Sequence, residues 1–255
     1  MTWEQKSLYR LDAMEKDVSE ELDAIFNAQE QLMLGLLEDD SVKALMSIGE
    51  INSLNAAVPI TALTVASQPL ALAMDKVYEK AITDNIEEGY GSSVSDQQAQ
   101  AAVSEHMSTV NNYNSTTQQE VVNALVTAAS IKDSDGGDVD IAFKLMLAYS
   151  LVKTVFNKLR SKRKPLILDS AIIGPYNQGL YDSVSALPDR GASLTKQWVS
   201  LKDERVRASH KALHGDKVPV QNPFFVGGVA IRFPKDPLAP PAMTINCRCV
   251  LKFGK

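Results

Sequence analysis

Apolar residues recur at helical steps through the first two thirds of the chain, and this rhythm then gives way to short alternating runs. From Trp3 to Leu37, the residues Leu8, Leu11, Val18, Leu22, Ile25, Leu32 and Leu36 lie on one three- and four-residue stripe, interrupted by Glu15 and Gln29. A near-heptad stripe of this kind buries against partner helices. Asp39, Asp40 and Ser41 offer a stop and a new N-cap, so a short helix is predicted from Val42 to about Leu54. No charge occurs between Glu50 and Asp75, but Pro59, Pro69 and scattered Asn, Ser, Thr and Gln argue against a resident membrane span. We expect a buried helix pair or a subunit contact there. Helix resumes from Asp75 to Glu88 and, after the break GYGSSVSD, from Val94 to Ile131, with a kink or interruption expected at NNYNSTT. KDSDGGD is a turn and lacks the closing Glu of a calcium loop. A second heptad-like helix, Val139 to Arg160, carries Ile141, Leu145, Ala148, Val152, Val155 and Leu159 on one seam and ends at Lys164-Pro165.

After Pro165 the pattern shortens. A helix is predicted from Ser170 to about Ala186, a strand from Thr195 to Ser200, and a helix from Asp203 to Leu213 ended by His214-Gly215. Strands are predicted at Val218–Phe225, Val229–Phe233 and Cys249–Phe253, between Gly and Pro turns. The expected class is therefore α+β: a helical docking or oligomerisation region over residues 1–164 and a small α+β domain over 165–255.

Composition adds little, with 45% apolar and 22% charged residues in 255, as in ordinary globular proteins. The charged N-terminal stretch MTWEQKSLYRLDAMEKD is not expected to act as a secretory signal. Charge is more telling. From Lys153 onward, eighteen Lys and Arg face seven Asp and Glu, a net +11, whereas residues 1–152 carry a net −16. A basic part suits a polyanion and an acidic part stays away from it; alternatively the two parts simply attract each other.

The candidate chemistry lies near the C-terminus. Cys247 and Cys249 are the only cysteines, and a CxC pair is too strained for a structural disulfide, so reduced thiols are expected. His210, His214, Cys247 and Cys249 are a chemically complete zinc set, although CxC is narrower than the usual knuckle and HxxxH alone is common. We therefore expect no cofactor, with zinc as the alternative. A thiolate–imidazole catalyst oriented by Asn246 or Asp203 is the other chemical option, without a recognisable nucleophile motif. The DNA-contact candidates are Lys158, Arg160, Lys162, Arg163 and Lys164 in the basic cluster, with Arg205, Arg207, Lys211 and Arg248 further on; Arg232 would extend that surface. No base-reading signature accompanies them, so binding would be nonspecific and salt-sensitive.

The series Trp198, Asp203, Arg205, Val206, Arg207, His210, Leu213 and Gly215, then Pro234, Asp236-Pro237 and Asn246-Cys247-Arg248-Cys249, resembles the C-terminal domain of the phage Mu F-like head morphogenesis family. Asn177 and Gly179 fit the NxG that precedes the series, and the likeness spans roughly residues 165–252. Trp198, Asp203, Arg205, His210, Gly215, Asn246, Cys247 and Cys249 would form the family core. The resemblance implies a noncatalytic minor head protein of a tailed phage, near the portal inside the capsid, that assists prohead assembly and DNA packaging or delivery. Portal or major capsid protein and packaged duplex DNA would be its partners, with self-association through the helical seams and host cytoplasm as the place of assembly. Two departures stand out. Asp169-Ser170-Ala171 replaces an Arg-Thr-Glu-like triplet, and His214 stands where Asp or Asn is frequent. Alternatives are an ejected effector enzyme, a transferase or metal-dependent hydrolase centred on His210, Cys247 and Cys249, or an ejected protein whose 51–74 segment engages a membrane.

Overall fold

The computed structural model describes residues 3–187, 193–200 and 206–254. Its helices α1 (Trp3–Leu36), α2 (Asp40–Ile48), α3 (Ile51–Ala57), α4 (Ile60–Ala66), α5 (Gln68–Glu87), α6 (Asp96–Ala129), α7 (Ile141–Lys158) and α8 (Lys164–Ser185) precede short antiparallel strands, so the class is α+β. Asp39 caps α2 by accepting the Ser41 and Val42 amides, and Gly49 ends it with a left-handed φ of 71°. That glycine splits the single helix predicted from Val42 to Leu54 into α2 and α3. Pro59 immediately precedes α4 and Pro69 sits in the first turn of α5, where a missing N–H leaves no intrahelical bond unmade. The segment predicted as uncharged and buried thus becomes α3, α4 and the start of α5. Among the described residues, no helix is long and apolar enough to cross a membrane.

Two expected breaks do not occur. NNYNSTT lies inside α6, where the hydroxyls of Ser115, Thr116 and Thr117 donate to the carbonyls four residues back at 2.9, 3.0 and 3.0 Å. Folded onto their own helix, these side chains no longer compete with its backbone. Helix also continues past Pro165. Leu159–Arg163 forms a π-helical turn, the Lys164 amide donates to the Leu159 carbonyl, and Pro165 falls in the first turn of α8. The wider turn resets the hydrogen-bond register just where proline has no donor to offer.

The chain forms two compact units, each assembled from separate stretches. One comprises Met1–Ser19, Ala71–His106 and Leu166–Lys255; the other comprises Glu20–Leu70 and Met107–Pro165. Their boundaries fall within α1, α5 and α6 and at Pro165–Leu166.

In the second unit, Leu22, Ile25 and Met33 of α1 are buried, and so is Gln29. Its Nε2 donates to Ser67 Oγ at 2.8 Å and to Asn114 Oδ1 at 3.0 Å. The residue that interrupted the predicted seam is therefore a buried polar node. Ala148, Val152 and Leu159 of the other seam are fully buried within the chain. Leu32 and Leu36 of the first seam and Ile141, Leu145 and Val155 of the second are half-buried.

The first unit holds the sheet. β1 (Thr195–Val199) lies between β2 (Lys217–Pro219) and β5 (Val250–Gly254), antiparallel to both, with Trp198 opposite Leu251. β3 (Phe224–Val226) and β4 (Val229–Ile231) form a separate hairpin. Its two turn residues, Gly227 and Gly228, have φ of 57° and 85°, the signs that a tight hairpin requires. Helix α8 is buried along most of its length and approaches α5 closely: a Cβ added to Gly179 would lie 2.4 Å from the Tyr78 carbonyl oxygen. Nearby, Asn85 Nδ2 donates to Ser183 Oγ at 2.8 Å, and Tyr78 donates to Asp182 at 3.1 Å.

Candidate functional site

Three short elements converge beside the sheet. Trp198 comes from β1, His210 from α9 (Ala208–Ala212), and the CxC turn from the link between α10 (Pro241–Thr244) and β5. Asn246 takes a left-handed φ of 56°, a conformation Asn tolerates, and the Cys247 amide donates to the Thr244 carbonyl. The turn brings both sulfurs to one imidazole. His210 Nδ1 lies 3.5 Å from Cys247 Sγ and 3.7 Å from Cys249 Sγ. Relative exposures are 1%, 2% and 0% for His210, Cys247 and Cys249, so water has almost no access to these groups. Trp198 is fully buried and stands edge-to-face with His210 and Phe224, both at 5.3 Å between ring centres. Hydrogen bonding with Cys249 pulls the Cys247 thiol well below its ordinary range; burial opposes this, and His210 adds to it.

Behind the turn, Asn177 of α8 ties the arrangement together. Its Nδ2 donates to the Pro234 carbonyl at 3.1 Å and the Cys249 carbonyl at 2.9 Å, while its Oδ1 accepts the Leu251 amide at 2.9 Å. Asp236 accepts from the Arg232 amide and guanidinium and from the Leu238 amide, which fixes the turn after β4. Those bonds hold its carboxyl below the usual carboxylate range against the burial that raises it. Lys196 is buried beneath this turn, donates to the Arg232 carbonyl at 2.6 Å, and lies 4.9 Å from the centre of the Tyr181 ring. Burial lowers its pKa to about 8. Lys235 donates to Ser170 Oγ at 2.9 Å, and burial lowers it to about 8 as well.

The sequence-named residues divide clearly. His210, Cys247 and Cys249 come together, but His214 does not join them: its Nδ1 accepts the Ser200 amide at 3.1 Å. The four-residue zinc set is thereby reduced to three. Gly215, with φ of 92°, donates its amide to the Trp198 carbonyl and anchors the end of α9 against β1. Asp203 and Arg205 lie outside the described residues. Arg207 donates to the Ile245 carbonyl at 2.5 Å, and Arg248 faces Asp169 at 3.5 Å. Much of the basic cluster is internally neutralised. Lys158 and Arg163 face Glu120 at 2.9 and 3.8 Å, Arg160 meets Glu30 at 2.5 Å, and Lys164 meets Asp23 at 2.7 Å. Lys162 and Lys211 are exposed.

Sequence reasoning missed several structural anchors. His106 is buried with Nδ1 2.5 Å from Asp75, and burial lowers its pKa against that carboxylate. A polar residue on the apolar stripe of α6 was the available signal. Asn177 stands in a motif that gives no sign of its partners, and Lys196 lies in an alternating strand that gives no sign of its burial.

No curated protein and no solved structure matches the chain. A family model does match part of the chain, and this likeness supports a phage-head assignment. The matched segment contains the Trp198, His210 and CxC cluster together with its Asn177 brace. The matching model, described as Phage Mu protein F like protein, covers residues 150–252, the C-terminal part of the chain.

Proposed function

We propose that the protein is a minor head protein of a tailed phage, held near the portal inside the capsid, where it assists prohead assembly and DNA packaging or delivery. The observation that carries this reading is the family match over residues 150–252. Two further features support it. The net charge of +11 from Lys153 onward suits the neighbourhood of packaged DNA, whereas the acidic remainder suits a protein partner. Phe143, Met146 and Tyr149, spaced three apart on α7 and exposed, supply apolar side chains for a portal or coat contact.

DNA contact in this reading falls to Lys162 and Lys211 more than to Lys158, Arg160, Arg163 and Lys164, which already meet carboxylates. The full chain is the right material for a test, because Leu166–Lys255 folds into one unit with Met1–Ser19 and Ala71–His106. Duplex DNA of unrelated sequences should bind equally, with log affinity falling linearly as log salt rises. Reversing Lys162 and Lys211 to Glu should weaken every duplex alike and reduce the salt slope by about 0.9 for each phosphate no longer neutralised. Affinity that ignores salt, or survives both reversals, would remove DNA binding from the proposal.

A further inference from the structure

We propose that His210, Cys247 and Cys249 bind a zinc ion. The argument rests on three distances and on burial, and it is independent of the role in the phage head. The donor atoms of the three residues all lie within 4.8 Å of one another. A tetrahedral zinc with Zn–S of about 2.3 Å and Zn–N of about 2.0–2.1 Å separates nitrogen from sulfur by about 3.6 Å. His210 Nδ1 stands 3.5 and 3.7 Å from the two sulfurs, on either side of that value.

Hydrogen bonding alone accounts less well for this symmetry. Neutral Nδ1 has one in-plane lone pair or one proton, enough to engage one thiol well. Here two sulfurs approach it almost equally, which a shared central cation explains. All three side chains are at most 2% exposed, so the three donors face one another away from bulk water. The opposite ring nitrogen, Nε2, has no hydrogen-bond partner among the described residues and does not hold the ring in another orientation. Two thiolates and an imidazole form a soft donor set that favours zinc over magnesium or calcium. Three protein ligands leave a fourth position for a further donor.

The braces match this use. Asn177 fixes the Cys249 carbonyl at 2.9 Å, and Trp198 packs edge-to-face on the His210 ring. Outer contacts that fix ligand orientation are what a metal centre requires. The role excludes His214, whose Nδ1 already accepts a backbone amide.

The test uses full-length protein from zinc-supplemented cells, followed by cobalt(II) titration of the reduced, metal-free chain. We expect about one zinc per chain, released when a mercurial blocks the thiols. Cobalt should give intense tetrahedral visible bands with thiolate-to-metal charge transfer in the near ultraviolet. Cys247→Ser, Cys249→Ser and His210→Ala should each lose those bands, while His214→Ala keeps them. Zinc below about a tenth of an equivalent with no cobalt charge transfer on the wild-type chain would overturn the proposal. So would copper or iron bound in place of zinc, or a full cobalt spectrum in His210→Ala. The wild-type spectrum decides the matter even if a ligand variant fails to fold.

Discussion

Asn177 shows how much one buried side chain can organise. It is fully buried and makes three hydrogen bonds, reaching both the turn at Pro234 and the strand that follows the cysteines. Replacing it with Ala leaves two carbonyls and one amide without their partner, and each buried orphan costs about 1–3 kcal/mol. Partial relaxation should hold the loss for Asn177→Ala to about 2–4 kcal/mol, measurable by urea unfolding. Asn177→Asp should do no better at neutral pH, because it keeps the acceptor, loses the donor and sets a carboxylate against two carbonyl oxygens. A change below about 1 kcal/mol in both variants would show that the turn stands without this brace. The sequence displayed the Asn but not its three partners, which lie 57, 72 and 74 residues away. His210 and the CxC pair were legible because residue type alone marks them; that His214 faces a backbone amide instead was not.

Helices were the most legible elements and their interruptions the least. Periodicity located α1, α6 and α7 closely, because an amphipathic stripe needs only local spacing. Pro165 read as a terminator, yet a π-helical turn carried the helix through, and such a turn leaves no composition signature. Polar residues on buried faces were equally silent. Glu105 of α6 has its pKa raised to about 7, first by burial, with Asp236 and Asp182 adding and Arg232 and a hydrogen bond from Gln178 opposing. Asp182 of α8 is raised to about 6, again chiefly by burial. A carboxyl whose folded pKa exceeds its unfolded value binds its proton more tightly when folded. Stability therefore falls as pH rises from the unfolded value toward the folded one. Glu105→Gln removes the Glu105 share of this dependence and leaves that of Asp182. We expect the variant to match wild type near pH 4 and to gain stability progressively until about pH 7, levelling above it. Because Glu105 is half-buried, solvent screening should limit the gain to about 1 kcal/mol. Thermal unfolding of both proteins across this range checks it; a difference that does not vary with pH would assign the effect to packing.

For the whole molecule, the sequence indicated the α+β class and the family likeness of the C-terminal part, and both are found. Which distant stretches share a compact unit was not legible: Met1–Ser19 and Ala71–His106 join Leu166–Lys255, through long-range packing that no local pattern encodes. Charge counting identified a basic part but could not reveal that four of its cations meet Glu30, Glu120 and Asp23. The proposed role names one location. An intact particle carrying this protein, imaged by cryo-electron microscopy without imposed symmetry and compared with a particle lacking it, would reveal that location. The proposed role predicts difference density inside the shell at the portal vertex; density distributed over the shell, or none within the virion, would contradict it.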